Sequence, residues 1–305
     1  MISKELEKKL LEKDPFDEIL GQDNVKQQLK TALLTDRHVI IVGQPGIGKT
    51  TLAKNLAKLL KTKNFVRVQG SPDLTSEDLL GDIDPIKALK FGPLSTEAFT
   101  KGKIFKADKG ILFFDELNRC PEKLQNALLQ VLSEKKATIG SYDVDFDVDF
   151  IFIGTMNPED SSTEKMSDVL LDRFDLIYMG YPESLDIEKE IVLKRGKKIV
   201  EFPEKLLNLT LKFVRDLRND EKIEKKPSVR ASIGLYERAQ ANAFINKKNK
   251  VNVDDIAEAI ISVLAHRIAL KSSVKYLQDP KEYIKELFDS CVKREIKGAD
   301  SRDLL

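Results

Sequence analysis

The chain has 305 residues, of which 41% are hydrophobic and 33% charged, and its 51 basic and 50 acidic side chains leave a net charge of +1. This length allows two domains, each with a core of its own. The balanced charge excludes a strong overall attraction to nucleic acid or to anionic membranes, so partners have to be inferred from local sites.

Membrane insertion and metal binding through cysteine are both disfavoured by the composition. No segment approaches the roughly 20 consecutive apolar residues of a membrane-spanning helix, and residues 1–13 lack the apolar stretch of a signal peptide, so we expect a cytoplasmic protein. Cys120 and Cys291 lie far apart without a CxxC pair, and the only histidines are His38 and His266. This argues against a disulfide framework or a Cys/His zinc site, and we expect all four residues to be structural or on the surface.

The strongest motif follows the first predicted strand, residues 39–42. Residues 43–50, GQPGIGKT, fit the pattern GxxxxGK[ST], and the apolar spacing after them predicts a helix. In this setting backbone N–H groups and the helix N-terminus bind phosphate oxygens, Lys49 adds a full positive charge, and the Thr50 hydroxyl can reach Mg²⁺. The predicted nucleotide-binding residues here are Gly43, Gln44, Pro45, Gly46, Ile47, Gly48, Lys49, Thr50 and Thr51.

A lysine-rich stretch lies between this motif and the next apolar strand. Residues 86–109 contain six lysines against Glu97 and Asp108, a local charge of +4. Such a patch can bind nucleic acid or an acidic protein, but dispersed surface lysines are usually only solvated. Both interpretations stay open.

Two acids end the apolar strand predicted over residues 111–114. Ligands of open α/β sheets bind beyond the carboxyl ends of the strands, which places Asp115 and Glu116 near the nucleotide. We predict that Asp115 holds Mg²⁺ through water and that Glu116 polarises the attacking water. Acids also favour the first turn of a helix, here the one predicted over residues 121–135, so a purely structural role is the alternative.

Residues 143–150, DVDFDVDF, alternate four acids with four apolar residues, as in a strand with one buried and one wet face. A solvated face whose charges discourage edge pairing, a surface that repels nucleic acid, and a cation site are the possible interpretations. Acids spaced along one extended strand do not by themselves surround an ion.

Two further polar positions follow predicted strands or helices. The strand predicted over residues 150–154 ends beside Thr155 and Asn157, and Asn157 is in a place to orient the water or contact the γ-phosphate. Arg173 closes a short helix before the strand predicted over residues 176–181. An arginine there is usually in a surface ion pair, but in this series it is a candidate arginine finger, a class of residue worth about 10³ to 10⁵ in rate.

Taken together, GQPGIGKT, LFFDELNR, TMNP and LLDRF resemble the AAA+ ATPases, and more narrowly the MoxR ATPases and magnesium-chelatase ATPase subunits. The resemblance runs from about residue 16 to residue 243. It implies that Gly21 and Gln22, in ILGQDNVKQQL, line the adenine pocket. It also implies that Arg230, in PSVRASIGLYERAQANAF, is the sensor-2 arginine of a helical lid, and it places a hairpin before the Asn157 strand, with residues 135–139 as its first arm and 140–143 near its turn.

The resemblance implies an α/β fold: a P-loop core with a parallel five-stranded sheet between helices, residues 1–183, and an all-α lid domain, residues 184–305. Helical spacing over residues 187–199, 206–217, 231–244 and 256–270 agrees with the lid. The implied cofactors are ATP and Mg²⁺, and the implied assembly is a homo-oligomeric ring, six subunits being the family expectation, in which Arg173 reaches the neighbouring nucleotide. Arg119 lies in the same DELNR run with a less defined role.

The leading functional hypothesis is therefore a chaperone-like ATP hydrolase that remodels or matures a protein partner, with metal insertion as one form of that activity. In related systems the partner carries a von Willebrand factor A domain. A DNA-dependent motor or loader is the alternative, which the lysine-rich stretch favours. The acidic strand weakens it, because relatives that thread DNA have basic residues on the corresponding hairpin. A nucleotide-gated scaffold that hardly hydrolyses ATP is a third hypothesis, which the Asp115 and Glu116 pair disfavours.

Overall fold

A computed structural model describes residues 7, 8, 10, 11, 16–60, 65–92, 95–138, 145–158 and 166–298. The chain forms two compact units, Met1–Gly180 and Tyr181–Leu305. The division lies three residues before the expected boundary between residues 183 and 184. Within the described ranges, no helix is both long enough and apolar enough to cross a membrane.

The first unit is built on a five-stranded sheet in the order β2-β5-β8-β1-β9, with every neighbouring pair parallel, as predicted. Its strands are β1 (Val39–Val42), β2 (Phe65–Gln69), β5 (Ile111–Asp115), β8 (Ile151–Met156) and β9 (Asp175–Tyr178). Two short antiparallel pairs accompany it, β3 (Gly81–Ile83) with β4 (Phe99–Lys101), and β6 (Lys136–Thr138) with β7 (Asp145–Asp147). The helices are α1 (Asp23–Leu34), α2 (Lys49–Leu60), α3 (Ser76–Leu80), α4 (Pro85–Phe91), α5 (Lys103–Lys106), α6 (Glu122–Glu134) and α7 (Asp168–Leu171).

Successive residues of the central strands enter different cores. Val39 and Ile41 pack on one side of the sheet, together with Leu29 and Leu52 from α1 and α2. Ile40 packs on the other side, in a cluster that α6 completes. Because side chains alternate across a strand, a continuous apolar run such as VIIV needs helices on both faces, and each buried aliphatic side chain contributes about 1.5–3 kcal/mol.

The acidic segment forms the second arm of a hairpin, as expected. β7 pairs with β6, with Phe146 opposite Ala137. Val148 and Phe150 are buried while Asp147 is exposed, which confirms the alternation over the described positions. The expected turn, residues 140–143, lies outside the described residues. Asp149 is not simply solvated, because Lys135 lies 2.9 Å from it and lowers the pKa of its carboxyl group.

The second unit is a helical lid with its own core. Its helices are α8 (Leu185–Arg195), α9 (Glu204–Asn219), α10 (Val229–Ile245), α11 (Val253–Leu264), α12 (Ser272–Lys275) and α13 (Pro280–Gly298). Leu217, Leu235, Ile260 and Phe288 are among the buried side chains that join these helices.

One detail of the lid differs from the sequence prediction. The helix expected over residues 256–270 ends at Leu264, and Ala269–Leu270 form a strand, β11, that pairs with β10 (Ile223–Lys225). Ile223 and Leu270 are both buried in the lid core. Tertiary pairing between these apolar residues therefore overrides the local helical spacing.

Candidate functional site

The phosphate-binding motif forms a loop between β1 and α2. Gly48 has a φ of 113°, a backbone conformation that residues with a Cβ rarely adopt. At Gly43 a Cβ would lie 2.4 Å from the carbonyl oxygen of Met179, so the close approach of the two chains requires glycine. The Lys49 side chain is buried, and its ammonium donates to the carbonyl oxygens of Gly43 and, at 2.8 Å, Gln44. The loop thus holds a positive charge at the N-terminus of α2.

Asp115 lies at the centre of the site. The Thr50 hydroxyl is 3.2 Å from Oδ2 of Asp115, and the Thr155 hydroxyl donates to Oδ1 at 2.7 Å. Asp115 is 6% exposed and Thr155 is fully buried. The carboxyl end of β5 and the start of α2 therefore meet as the sequence predicted, and the end of β8 supplies a third group.

Glu116 leaves the strand in a left-handed conformation, with φ of 58°. Its backbone N–H donates to the Thr155 hydroxyl at 2.9 Å, while its side-chain Oε2 accepts from Gln69 and from Arg119, each at 3.1 Å. The unusual backbone angle turns the glutamate out of the line of the strand. Two donors then fix its carboxylate.

Arg67 adds a second cation to the site. It lies on β2, and its Nη2 donates to Oδ2 of Asp115 at 2.7 Å and to Oε1 of Gln69 at 3.2 Å. The Asp115 carboxylate thus contacts the hydroxyls of Thr50 and Thr155 and the guanidinium of Arg67.

Asn157 follows β8 by one residue and is half-buried. Its carbonyl oxygen accepts from the Asn118 side chain at 2.9 Å. Asn118 lies in the short 3₁₀ turn Leu117–Arg119, directly after Glu116. The two segments that carry Glu116 and Asn157 are therefore joined by a hydrogen bond.

Gly21 and Gln22 precede α1. Both have positive φ angles, 64° and 59°, and Gln22 is the N-cap residue of the helix. Gln22 is 7% exposed, and its side-chain amide donates to the carbonyl oxygen of Gly180 at 3.2 Å. The segment is thereby held close to the end of the first unit.

The expected site also includes two exposed arginines, of which Arg173 has its described contacts outside this cluster. Arg173 is exposed and contacts Ser133 at 3.1 Å and Asp172 at 3.7 Å. Arg230 is exposed in the first turn of α10, in the second unit. Both guanidinium side chains are accessible to solvent and to other molecules.

Sequence reasoning missed Arg67, Gln69 and Asn118, and it gave Thr155 no role. A signal for the first two was present, because in FVRVQ the polar Arg67 and Gln69 alternate with apolar residues and so share one side of the strand. The pairing of Gln69 with Asp115 in the sheet register then brings them to the acids. That register is not visible in a local pattern.

The donor set fits magnesium and phosphate. Mg²⁺ prefers hard oxygen ligands and is commonly bound by one or two protein groups together with substrate phosphates. The Thr50 hydroxyl lies 3.2 Å from the Asp115 carboxylate. Lys49, the residue before Thr50, is buried and supplies an ammonium group. These residues would hold the metal between the strand end and the phosphates.

The six lysines of residues 86–109 are all exposed. They are spread over α4, β4, α5 and the turn that precedes β5. Lys87 is 4.0 Å from Asp84, and Lys90 lies over the ring of Phe91.

Comparison with known proteins places this geometry in a family. A family model for the AAA domain, dynein-related subfamily, matches residues 38–174, and one for an AAA lid domain matches residues 215–286. The chain is 29% identical to the YeaC protein of Bacillus subtilis (90% of this chain, 91% of YeaC). It is 28% identical to the chaperone MoxR1 of Mycobacterium tuberculosis (83% and 73%) and 27% identical to a magnesium-chelatase subunit ChlI homolog of Methanocaldococcus jannaschii (95% and 93%).

Among solved structures, the Thermotoga maritima RuvB Holliday junction branch migration motor has a TM-score of 0.51 at 21% identity, covering 82% of this chain and 71% of RuvB. At that identity the likeness concerns the fold alone. The chain therefore belongs to the AAA+ ATPases, is an ATP hydrolase of that family, and is similar to MoxR and the magnesium-chelatase ATPase subunits.

Proposed function

We propose that this chain binds Mg-ATP on the loop of residues 43–51 and couples its hydrolysis, within a homo-oligomeric ring, to the remodelling or maturation of a protein partner. The observation that carries the proposal is the meeting of Thr50 with Asp115 beside the buried Lys49, with Glu116 directly after Asp115. These groups are the minimum that phosphoryl transfer to water requires: a phosphate cradle, metal ligands and a base.

Each residue has a defined part in the proposed reaction. Lys49 neutralises phosphate charge, Thr50 and Asp115 hold Mg²⁺, and the metal supplies charge stabilisation for the transferring phosphoryl group. Glu116 accepts a proton from the attacking water, which Asn157 helps to orient. Gly21 and Gln22 contact the base of the nucleotide, as the family resemblance implies.

Two arginines complete the proposed site from elsewhere. The exposed Arg173 acts on the nucleotide of a neighbouring subunit, and Arg230, on the lid, responds to the γ-phosphate. Exposure of the Arg173 side chain supports its role, because a residue that acts across an interface must be accessible in the single chain.

A protein partner is favoured by the charge of the hairpin. Asp147 is exposed on β7, whereas Asp149 is paired with Lys135, so Asp147 is the described hairpin carboxylate that would repel a phosphate backbone. A named relative, MoxR1, is a chaperone. A partner with a von Willebrand factor A domain and a role in metal insertion are the forms of this activity that the family suggests.

A DNA-dependent motor is the second candidate, supported by the six exposed lysines of residues 86–109. It predicts DNA affinity that falls steeply with the logarithm of salt concentration, together with DNA-stimulated hydrolysis. A protein remodeller shows neither.

The first test compares Lys49→Ala with Glu116→Gln. We expect Lys49→Ala to lose binding of a fluorescent ATP analogue, and Glu116→Gln to bind it with near wild-type affinity while hydrolysis stops. Equal loss of binding in both variants contradicts the role of Glu116 as base.

The second test identifies the partner. Glu116→Gln is purified with ATP and Mg²⁺ from its native lysate, and the proteins that remain bound are compared with those retained in ADP. A protein released when ADP replaces ATP supports the remodeller, whereas bound nucleic acid without protein supports the DNA motor.

A further inference from the structure

Arg67 shares the carboxylate that is the proposed metal ligand. Its Nη2 lies 2.7 Å from Oδ2 of Asp115, the oxygen that also lies 3.2 Å from the Thr50 hydroxyl. A metal held by Thr50 and Asp115, directly or through a water, would draw on that oxygen, so the guanidinium and the metal would contend for it.

The setting strengthens this contact. Asp115 is 6% exposed, and charge-assisted hydrogen bonds are roughly twice as strong as neutral ones. An anionic carboxylate with so little access to water requires a compensating cation, and Arg67 is in direct contact with it. The Arg67 side chain itself is 44% exposed, so it can move away from the carboxylate into solvent.

The place of Arg67 in the sheet suggests that its replacement should disturb the buried core little. β2 is an edge strand of the sheet, and Arg67 lies on the face of that strand opposite to the buried Val68, between Phe65 and Gln69. Its backbone pairs opposite Phe113, so the strand register depends on main-chain bonds and on apolar neighbours.

We propose that Arg67 is a built-in counter-cation for Asp115, which competes with Mg²⁺ for Oδ2 and thereby lowers the dependence of nucleotide binding on the metal. This rests on the proposed function of the site. Arg67 is a positioning residue: it acts on Asp115, and through Asp115 on the metal and the phosphates. If Arg67 is absent and no metal is bound, the nucleotide phosphates meet a carboxylate on Asp115 whose negative charge is not compensated. Phosphates that bind together with Mg²⁺ bring a compensating positive charge with them.

The test measures the affinity of fluorescently labelled ADP in excess Mg²⁺ and in EDTA, for the wild type and for Arg67→Gln. The criterion is the ratio of the ADP affinity in Mg²⁺ to the ADP affinity in EDTA. Loss of one positive charge from the site by itself weakens binding in both conditions and leaves this ratio unchanged. We expect the ratio of affinity in Mg²⁺ to affinity in EDTA to rise at least about tenfold in Arg67→Gln, which corresponds to about 1.4 kcal/mol. The rise comes from weaker binding in EDTA.

Two more variants separate this role from a structural one. Arg67→Lys keeps the charge but has a single ammonium in place of the fork, so the ratio should lie between those of the wild type and Arg67→Gln. Arg119→Gln removes the guanidinium that contacts Glu116 instead of Asp115, so its ratio should stay at the wild-type value. Circular dichroism melting of each variant checks the fold, and if Arg67→Gln does not fold, Arg67→Lys against the wild type decides.

The outcomes of the test are distinguishable. An unchanged ratio in Arg67→Gln, or an equal rise in Arg119→Gln, overturns the counter-cation role and leaves the proposed function in place. Failure of the wild type to bind nucleotide, or binding that survives Lys49→Ala, overturns the proposed function and this inference with it.

Discussion

The hydroxyl of Thr155 donates a hydrogen bond of 2.7 Å to Oδ1 of Asp115. The same hydroxyl accepts the backbone N–H of Glu116 at 2.9 Å. One buried oxygen at the end of β8 therefore fixes the side chain of the first acid and the backbone of the second. Since Glu116 has a left-handed backbone, this second bond stabilises a conformation that glutamate does not favour.

We expect Thr155→Val, which keeps the shape and removes the hydroxyl, to lower the free energy of unfolding by about 1–3 kcal/mol, because two buried polar groups lose a partner. We also expect ATP turnover to fall by roughly 100-fold, since small displacements of reacting groups have effects of that size. Urea unfolding and a phosphate-release assay measure the two quantities.

Thr155→Ser is the matched control, because serine keeps the hydroxyl. It should retain most of the turnover and of the hydrogen-bond stability. If the Val and Ser variants hydrolyse ATP at the same rate, the hydroxyl does not position the two acids.

The lid contains a buried ion pair that gives a second prediction. Glu188 is fully buried and accepts two hydrogen bonds of 2.7 Å from Arg218, which is 5% exposed. Removing one partner of such a pair leaves an uncompensated charge, so Glu188→Gln should reduce the stability of the lid by about 3–5 kcal/mol. Thermal unfolding followed by circular dichroism measures the change.

Glu295→Gln is the control for this prediction. It breaks the exposed pair with Lys212, which spans 2.9 Å, and should change stability by less than about 1 kcal/mol. A loss of similar size in both variants would contradict the importance of burial.

The pH dependence of the same pair has a definite sign. Burial raises the pKa of Glu188, but hydrogen bonds and charge from Arg218 outweigh it, and the net pKa lies below its ordinary value of 4.5. A carboxyl group with a lowered pKa stabilises the fold above its unfolded pKa. The contribution of Glu188 should therefore be complete above about pH 4.5 and be lost as the pH falls through the lower folded value.

The sheet, the phosphate-binding loop and the two acids after β5 could be predicted from the sequence because each depends on a local pattern. The apolar runs before Gly43 and before Asp115 mark buried parallel strands, and the carboxyl ends of such strands lie at one edge. That reasoning alone brings Thr50 near Asp115, which are 3.2 Å apart.

The groups that surround the two acids could not be predicted in this way. Arg67 reaches Asp115 only because β2 pairs directly with β5, and strand order is a property of the whole sheet. Likewise, the strand at Ala269–Leu270 depends on its buried partner Ile223, far away in the chain. Local spacing describes the face of an element but does not identify its neighbour.

His38 provides a prediction for the core unit near neutral pH. Its Nδ1 accepts the backbone N–H of Phe152 at 3.1 Å, which requires an unprotonated nitrogen. Burial lowers the pKa of the imidazole from 6.5, Lys135 and Arg37 lower it further, and Asp149 opposes them. Protonation therefore favours the unfolded chain, so stability should be complete above about pH 6.5 and decrease as the pH falls below it.

The variant His38→Asn isolates this effect. Asparagine can accept the same hydrogen bond through its side-chain oxygen but does not titrate. The difference in unfolding free energy between pH 7.5 and pH 5.5 should be smaller in His38→Asn than in the wild type, as measured by urea unfolding at both values. If the difference between the two pH values is the same in His38→Asn and in the wild type, a group other than His38 causes the pH dependence.

The position of Arg173 leads to a prediction about the proposed ring. Its side chain is 44% exposed and contacts Ser133 and Asp172, so its action on a nucleotide is proposed to occur in a neighbouring subunit. Arg173→Ala and Lys49→Ala should each be nearly inactive as pure proteins, the arginine being worth about 10³ to 10⁵ in rate. In an equal mixture, some Arg173→Ala subunits lie next to a Lys49→Ala subunit. The first subunit then binds nucleotide through its intact Lys49, and the second supplies its intact Arg173. Random assembly gives such an interface about a quarter of the time, so about a quarter of wild-type turnover should return on mixing.

A second mixture controls for the repair of damaged rings by mixing itself. Lys49→Ala combined with Glu116→Gln should remain inactive, because both residues act on the nucleotide of their own subunit and no arrangement gives an intact site. Turnover is measured before and after mixing, at a concentration where light scattering shows a single assembled species. Absence of recovery with Arg173→Ala, or equal recovery with Glu116→Gln, would contradict the action of Arg173 across the interface.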